Sequence, residues 1–323
     1  MASARPALIL LTALASAVIA QAQASNTSGA LRGVVKTRKG APANATLTLR
    51  HLESGAVRSV RTEGDGEYRF PLLAIGTYEL TVTAPGMKTL KEGSIPVSLG
   101  QTGTYNFTLD ESEASAVVEI AAEAAAVDPA QINTQTAIGS QLIEAVPING
   151  RNFTDLVQLT PGAAVGGTSY YTSVEGARGI QNNLQIDGAS FNSRFNSEQR
   201  GGTRIPFSFG QDSIRELQVI TNSFDAQYGD AVGAVINAVT KTGTNEPGGM
   251  AFFLYRPNSL VAKVKAVPYD PKGTVNDPAV RSRNFNATQL GFNYGGPILK
   301  DVLHYFVNVE AVRRSEDSVP AFG

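Results

Sequence analysis

Apolar and polar residues alternate with a period of two over several stretches of this sequence, most clearly over residues 46–50, 77–84 and 104–109. Because successive side chains of a β-strand point to opposite faces, such stretches bury one face and expose the other. Turn-forming glycines such as Gly40 and Gly66 separate the stretches. This part of the chain is therefore predicted to form about seven short strands that close into a β-sandwich.

The composition excludes several classes of site. The sequence contains no cysteine, which excludes disulfide frameworks, thiolate zinc sites and cysteine nucleophiles. Its two histidines, His51 and His304, lie in separate segments, so a histidine-rich metal site is not expected. The formal net charge is -1 and there is no basic run, so nucleic acid is not an expected partner. The GxSxG, HExxH and Walker motifs are missing, and we expect neither enzyme activity nor a cofactor.

Residues 1–24 have the features of an export signal. Arg5 supplies a positive start, residues 7–20 are apolar, and two overlapping Ala-x-Ala sites follow. The mature chain is expected to begin at Gln23 or Ser25. The alternative is a membrane anchor, but the apolar run is short for a span. No later run approaches the ~18 apolar residues of a membrane helix.

A resemblance to a known domain begins at Thr62. The run TEGDGEYRF over residues 62–70 leads into LAIGTY over residues 73–78. This resembles the carboxypeptidase regulatory-like domain, a transthyretin-like sandwich also grouped with carbohydrate-binding-like folds, and we assign residues 25–110 to it. The family usually has Pro-Gly before the tyrosine, where this sequence has Ile75-Gly76-Thr77. Asp65-Gly66-Glu67 lacks the spacing of a calcium loop and is interpreted as a hairpin turn.

Residues 111–127 change character and become rich in alanine and glutamate. The composition is typical of a linker or of a loosely held strand. An apolar patch, Val117-Val118-Glu119-Ile120, lies within it. 

The pattern over residues 128–245 is mixed, as in an α+β domain. Ser140 is placed to cap a short helix. A second short helix is predicted from Phe153, Leu156 and Val157, whose i, i+3, i+4 spacing forms one apolar face. Residues 231–240 are apolar on both faces, which predicts a strand covered on both sides.

This stretch resembles the plug of TonB-dependent outer-membrane receptors, because the family's short motifs occur in order. They are VPINGRNF, LTPG, RG, QIDG, SIRELQV, YG and VTKTGTN. Arg178 and Asp187 are expected to be structural hydrogen-bonding residues, with ligand contact as the alternative. The plug-motif residues that the resemblance assigns are Arg151, Asn152, Arg178, Gly179, Asp187, Gly188, Gly229, Lys241, Gly243 and Asn245.

Residues 246–323 contain longer alternating strands. Residues 288–294 and 303–310 each have one apolar and one polar face, and strands of about nine to eleven residues with this pattern fit a membrane barrel. Gly295-Gly296-Pro297-Ile298 resembles the barrel start of Oar-like receptors. Such a barrel needs about 22 strands. The sequence contains about three, so a truncated barrel is expected, from a fragment or an interrupted gene. His304, on the predicted lumen face, is either solvated or a ligand contact.

The resemblance implies energy-coupled uptake across a bacterial outer membrane, with the sandwich in the periplasm. It implies a TonB-type partner, outer-membrane lipid, and an unspecified small-molecule or oligosaccharide ligand. Residues Val117, Val118, Glu119 and Ile120 are the candidate TonB box, since they are extended by propensity and lie between two domains. The alternative for this patch is an edge strand of the sandwich or a passive linker.

Two other functions agree less well with the sequence. A secreted or periplasmic carbohydrate- or ligand-binding sandwich would leave residues 128–323 without a role. An accessory domain of a zinc carboxypeptidase would need a histidine and glutamate ligand set, which the chain does not have.

Overall fold

The computed structural model describes residues 27–111, 117–119, 134–148, 151–165, 172–192, 209–223, 228–229, 231–260 and 285–316. The predicted export signal and Ile120 lie outside these residues. The chain is mainly β and is built from a sandwich, a plug-like module and a C-terminal sheet.

Two sheets form the sandwich. In the first, β1 pairs antiparallel with β4 and parallel with β7 and β8. The second has the order β3-β2-β5-β6-β9, and its last pair, β6 with β9, is parallel. The strands are β1 (Ser28–Thr37), β2 (Thr46–His51), β3 (Val57–Arg61), β4 (Glu67–Ala74), β5 (Gly76–Thr83), β6 (Thr89–Val97), β7 (Thr102–Thr104), β8 (Phe107–Leu109) and β9 (Val117–Glu119).

The predicted alternation in the sandwich is confirmed, because one face of each alternating strand is buried in a shared core. Leu47, Leu80 and Val82 are fully buried, and Phe107 is 4% exposed. One detail was wrong. Asp65-Gly66 does form a turn, with the Asp65 carboxylate accepting from the Glu67 amide at 3.0 Å. However, it joins β3 to β4, which belong to opposite sheets, so it is a sheet-to-sheet crossing and no hairpin.

A five-stranded sheet of order β10-β15-β16-β13-β14 forms the centre of the plug-like module. β16 lies between β15 and β13, and residues 233–238 are buried, as the apolar pattern on both faces predicted. A separate hairpin, β11 with β12, lies beside it. The strands are β10 (Thr134–Gly139), β11 (Ala163–Val165), β12 (Thr172–Val174), β13 (Asn183–Ile186), β14 (Ala189–Ser190), β15 (Ile214–Asn222) and β16 (Val235–Thr240).

Both predicted helices are present, with one correction to each. The helix α1 (Ser140–Ala145) has Gly139 as its N-cap, so Ser140 is its first residue and does not cap it. The second is a 3₁₀ helix over Phe153–Leu159, and the Asn152 side chain caps it by accepting from the Thr154 amide at 3.2 Å. Their buried residues, including Phe153, Leu156 and Val157, pack on the central sheet.

The C-terminal sheet contains three antiparallel strands in the order β17-β18-β19. Its two faces differ as predicted. Phe292 and Val309 are exposed on one face, while Gln289 and Asn293 on the other are 7% exposed. The last two strands are longer than the nine to eleven residues expected, because the paired region continues to the turn at residues 300–302. The strands are β17 (Gly248–Arg256), β18 (Phe285–Leu299) and β19 (Leu303–Glu316).

Within the described ranges, no helix combines the length and apolar character needed to cross a membrane.

The sandwich core supports a first prediction. Its buried residues all lie between residues 31 and 109, so residues 28–110 should fold alone with a cooperative thermal melt. In that segment, Leu80→Ala should lower the free energy of unfolding by about 2–5 kcal/mol because it opens a core cavity. Thr81→Ala, at a half-buried position on the opposite face of β5, should cost about 0.5 kcal/mol or less. A non-cooperative melt, or equal costs for the two variants, would contradict this account of the core.

Candidate functional site

The side-chain amide of Asn245 joins the plug-like module to the turn between β18 and β19. Its Oδ1 accepts from the backbone amide of Asp301 at 2.8 Å, and its Nδ2 donates to Asp301 Oδ1 at 2.8 Å. His304 Nε2 lies 2.9 Å from the same Oδ1. The backbone amide of Asn245 donates to the carbonyl of Glu53, in the sandwich, at 2.8 Å. All three parts of the chain therefore meet at this residue.

An ion pair lies beside this contact. The Arg215 guanidinium is 2.7 Å from Glu53 Oε1, and both side chains are partly shielded from water. The contribution of an exposed pair is commonly under about 1 kcal/mol, and shielding from water strengthens the attraction while adding a desolvation cost. The pair connects the β2–β3 turn of the sandwich to the start of β15.

A second sandwich contact uses the next residue of β15. Glu216 is buried, and its Oε1 accepts from the Leu99 amide at 3.0 Å. Burial raises the pKa of the Glu216 carboxyl, while the Leu99 amide and the Arg215 charge oppose that rise. Gly100, next to Leu99, has a φ of +64°, a left-handed backbone conformation that favours glycine.

The register of β15 explains how it contacts both a core and the sandwich. Leu217 and Val219 point into the core of the plug-like module, so Glu216 and Gln218 point away from it. A β-bulge lies between Ile214 and Glu216 in the pairing with β16. Because a bulge inserts an extra residue, it allows Arg215 to reach the sandwich together with Glu216.

The plug-like module also contacts the buried face of the C-terminal sheet. Arg151 forms an ion pair with Asp212, and its guanidinium carbon lies 4.1 Å from the centre of the Phe252 ring in β17. Nearby on the same face, Gln289 donates to Glu310. A guanidinium over an aromatic ring is attracted by the ring's quadrupole, so Arg151 contributes to holding the two surfaces together.

The other residues of the plug motifs form turns, caps and close approaches. Asp187 and Gly188 are the two loop residues of the β13–β14 hairpin, with φ values of 49° and 76°. Both carboxylate oxygens of Asp187 accept from Thr240, at 2.9 and 2.8 Å. Arg178 precedes the short 3₁₀ helix Gly179–Gln181 and donates its amide to the Gln181 side chain.

Three further motif residues, Lys241, Gly229 and Gly243, make contacts between elements. The Lys241 ammonium is 2.7 Å from Glu144 Oε1 of α1. The Gly229 carbonyl accepts from the Asn183 side chain. At Gly243 a Cβ would come within 2.1 Å of the Tyr305 carbonyl, so only glycine lets the chain pass this close to β19.

The candidate TonB box lies elsewhere, along the sandwich. Val117, Val118 and Glu119 form β9, which pairs parallel with β6 opposite Thr89, Leu90 and Lys91. The segment is extended, as predicted, and its backbone occupies the edge-strand position that the sequence left open as an alternative.

Several residues of the junction were not predicted as site residues: Glu53, Asp212, Arg215, Glu216 and Asp301. A signal for two of them was present, since charged residues at 215 and 216 interrupt a strand whose other positions are largely apolar. The two histidines, separate in sequence, come near enough for His304 to influence His51. In the described part of the chain, no group of three or more potential metal ligands occurs.

Asn245 gives a second prediction. Asn245→Ala removes the acceptor of the Asp301 amide, so hydrogen exchange at that amide should accelerate about tenfold, the equivalent of one hydrogen bond. Thr244→Ala removes only a local bond to the Glu246 carbonyl and should leave Asp301 unchanged. Exchange can be followed by mass spectrometry or NMR on the detergent-solubilised protein. Equal exchange in the two variants would contradict the assigned role.

His51 gives a third prediction. Its ring lies against Tyr78, and its Nδ1 accepts from the Ser54 amide at 3.2 Å. Burial lowers its pKa, Glu53 opposes this, and Arg215 lowers it further. The neutral ring is thus favoured in the folded state, and its contribution is complete above pH 6.5 and is lost as the pH falls toward the folded pKa.

An NMR titration should therefore give His51 a midpoint below 6.5, its usual value. The His51→Gln variant identifies its signal, because only one other histidine exists. The melting temperature should also fall more between about pH 7 and pH 5 in the parent than in His51→Gln, because histidine takes up its proton in this range. A midpoint at or above 6.5 would show that the ring is not buried as described.

Comparison with protein families gives two matches. Residues 30–110 match the carboxypeptidase regulatory-like domain. Residues 239–322 match the outer membrane beta barrel domain. The first match confirms the resemblance of the sandwich, and the second assigns the C-terminal sheet and places the chain in the bacterial outer membrane.

Two curated relatives extend the comparison across the plug-like module. The TonB-dependent transporter Oar of Myxococcus xanthus is 27% identical over 293 residues, covering 88% of this chain and 26% of that protein. The probable TonB-dependent siderophore receptor PirA of Acinetobacter baumannii is 28% identical over 185 residues, covering 50% of this chain and 21% of that protein. The chain thus spans about a quarter of the length of the curated relatives it matches.

A solved structure of a siderophore receptor, PirA from Acinetobacter baumannii, covers 55% of this chain and 24% of that one, at 24% identity and a TM-score of 0.39. The two curated relatives are described as a transporter and a probable receptor, which favours the receptor over the secreted binding module. Over most of its length the chain is thus similar in sequence to the TonB-dependent transporter Oar, and over half of it to a probable TonB-dependent receptor.

Proposed function

We propose that this chain takes part in energy-coupled uptake of a substrate across the bacterial outer membrane, and that it has no catalytic role. The observation that carries the proposal is the similarity to the Oar transporter over 88% of the chain. In this proposal the sandwich lies in the periplasm, the plug-like module closes a barrel, and the C-terminal sheet is part of the barrel wall.

The two faces of the C-terminal sheet suit this role. Phe292, Val307 and Val309 point outward as an apolar surface for outer-membrane lipid. Asn293 lies on the opposite face, where it is buried and its side chain accepts from the Met250 amide at 3.2 Å. A wall with an apolar exterior and a polar interior is what a transmembrane barrel requires, since its strands alternate between lipid and lumen.

Among the described residues, the contacts of the plug-like module with this wall include the Arg151 guanidinium over the Phe252 ring and the hydrogen bonds of Asn245. Hydrogen bonds and ion pairs at such a contact can be exchanged for water, so the module can separate from the wall without exposing a large apolar core. We propose that mechanical pulling by an energy-transducing partner breaks these contacts and opens a path for the substrate.

The proposed partner is a TonB-type protein that pairs with residues 117–120. β-Augmentation suits an extended segment, because main-chain hydrogen bonds give affinity and alternate side chains give register. The transported ligand is a small molecule or an oligosaccharide. PirA carries the description of a siderophore receptor, which makes iron chelates one class to test.

The fourth prediction tests this partner. Val118→Pro removes one backbone donor and blocks strand pairing, so it should weaken binding of the TonB C-terminal domain by at least about tenfold. Ala124→Pro is the matched control: it introduces proline into the same linker outside the candidate box and should leave the affinity unchanged. Isothermal titration on the detergent-solubilised protein gives both values. Unchanged affinity in the Val118 variant would refute the assignment.

A further inference from the structure

We propose that the sandwich masks the TonB-binding segment, by holding residues 117–119 as a strand on the outer edge of β6. The inference rests on the proposed function of residues 117–120, and it adds a regulatory contact to it. The observation behind it is the parallel pairing of β9 with β6, in the register Thr89 to Val117, Leu90 to Val118 and Lys91 to Glu119.

The edge arrangement explains why this pairing competes with a partner. β5 occupies one edge of β6, and β9 occupies the other. The backbone groups of β9 that face β6 are engaged there. A partner strand that needs those groups must first displace β6.

The path of the chain favours masking over free movement of the segment. The chain leaves the sandwich beside the start of β6, where Glu111 bridges Met87 and the Lys88 amide donates to the Asp110 carbonyl at 2.9 Å. The residues from 112 to 116 are the whole connection from that point to β9. A short tether keeps the local concentration of the segment at β6 high, so an external strand competes against an intramolecular one.

The pairing is nevertheless short enough to open. It comprises three paired positions, compared with six between β2 and β5, and parallel pairing is slightly weaker per residue than antiparallel pairing. A tension on the segment, or a loosened sandwich edge, would therefore release it.

A disulfide lock tests the masking in a chain that has no native cysteine. Lys91→Cys combined with Glu119→Cys places two thiols at directly paired positions, at about the strand separation that a disulfide spans. Binding of the TonB C-terminal domain is measured before and after reduction, on the detergent-solubilised protein. We expect the oxidised form to bind at least tenfold more weakly than the reduced form. Lys91→Cys alone should show no dependence on reductant.

A second variant controls for the possibility that the disulfide itself, and not the pairing of β9 with β6, blocks the partner. Lys91→Glu introduces an acidic residue at the register position paired with Glu119. It should weaken the pairing of β9 with β6 and strengthen TonB binding several-fold. Lys88→Glu makes the same charge change outside the register and should not. No gain with Lys91→Glu relative to Lys88→Glu would overturn the masking.

The outcomes separate the two proposals. Equal binding by the oxidised and reduced forms would mean that the partner adds to the free edge of β9 or binds elsewhere, and the masking would be wrong while TonB binding stands. Absence of binding in both forms and in the parent would refute the TonB-binding segment itself. Failure of the two cysteines to form a bond under oxidation would refute the pairing.

Discussion

The hydrogen bonds of a single asparagine connect the three parts of this chain. Asn245 ends the plug-like module, its side chain binds the turn between β18 and β19, and its backbone amide binds Glu53 of the sandwich. Because the Arg215–Glu53 pair and the Glu216–Leu99 bond lie along the same strand and turn region, the sandwich is fixed to the plug-like module by more than one contact. The position of the sandwich thus depends on β15, and the position of β15 depends on its pairing with β16.

The order of the segments along the chain determines which contacts a pulling force would reach. The segment that we assign to TonB lies between the sandwich and β10, so a force applied there acts on both. β10 is the edge strand of its sheet and pairs with β15, the strand that carries Arg215 and Glu216. Disturbance of β15 would therefore reach the sandwich contacts and the plug-like core together. In this way a pull at one place can loosen several polar contacts, each of which water can replace.

Much of the fold could be predicted from the sequence, because period-two alternation depends only on which face of a strand is buried. The burial of Leu80 and Val82 in the sandwich follows from that pattern alone. So does the shared face of Phe292 and Val309 in the C-terminal sheet. The motif residues Asp187 and Gly188 follow from turn chemistry. The junction could not be predicted, since Glu53 and Arg215 are separated by 162 positions and only the three-dimensional fold brings them together. The bulge at Arg215 and the return of residues 117–119 to β6 leave no periodic signal, and the sheet crossing at Asp65-Gly66 has the same local sequence as a hairpin.

The central claim is that residues 117–120 are the point where an energy-transducing partner grips this chain. Cysteine crosslinking in cells tests it most directly, because the native chain contributes no cysteine of its own. Single cysteines at Val118 and at Ala124 would be paired with a cysteine in the edge strand of the TonB C-terminal domain. The account predicts a crosslinked product with Val118→Cys and little with Ala124→Cys. Equal crosslinking at both positions, or none at Val118, would contradict it.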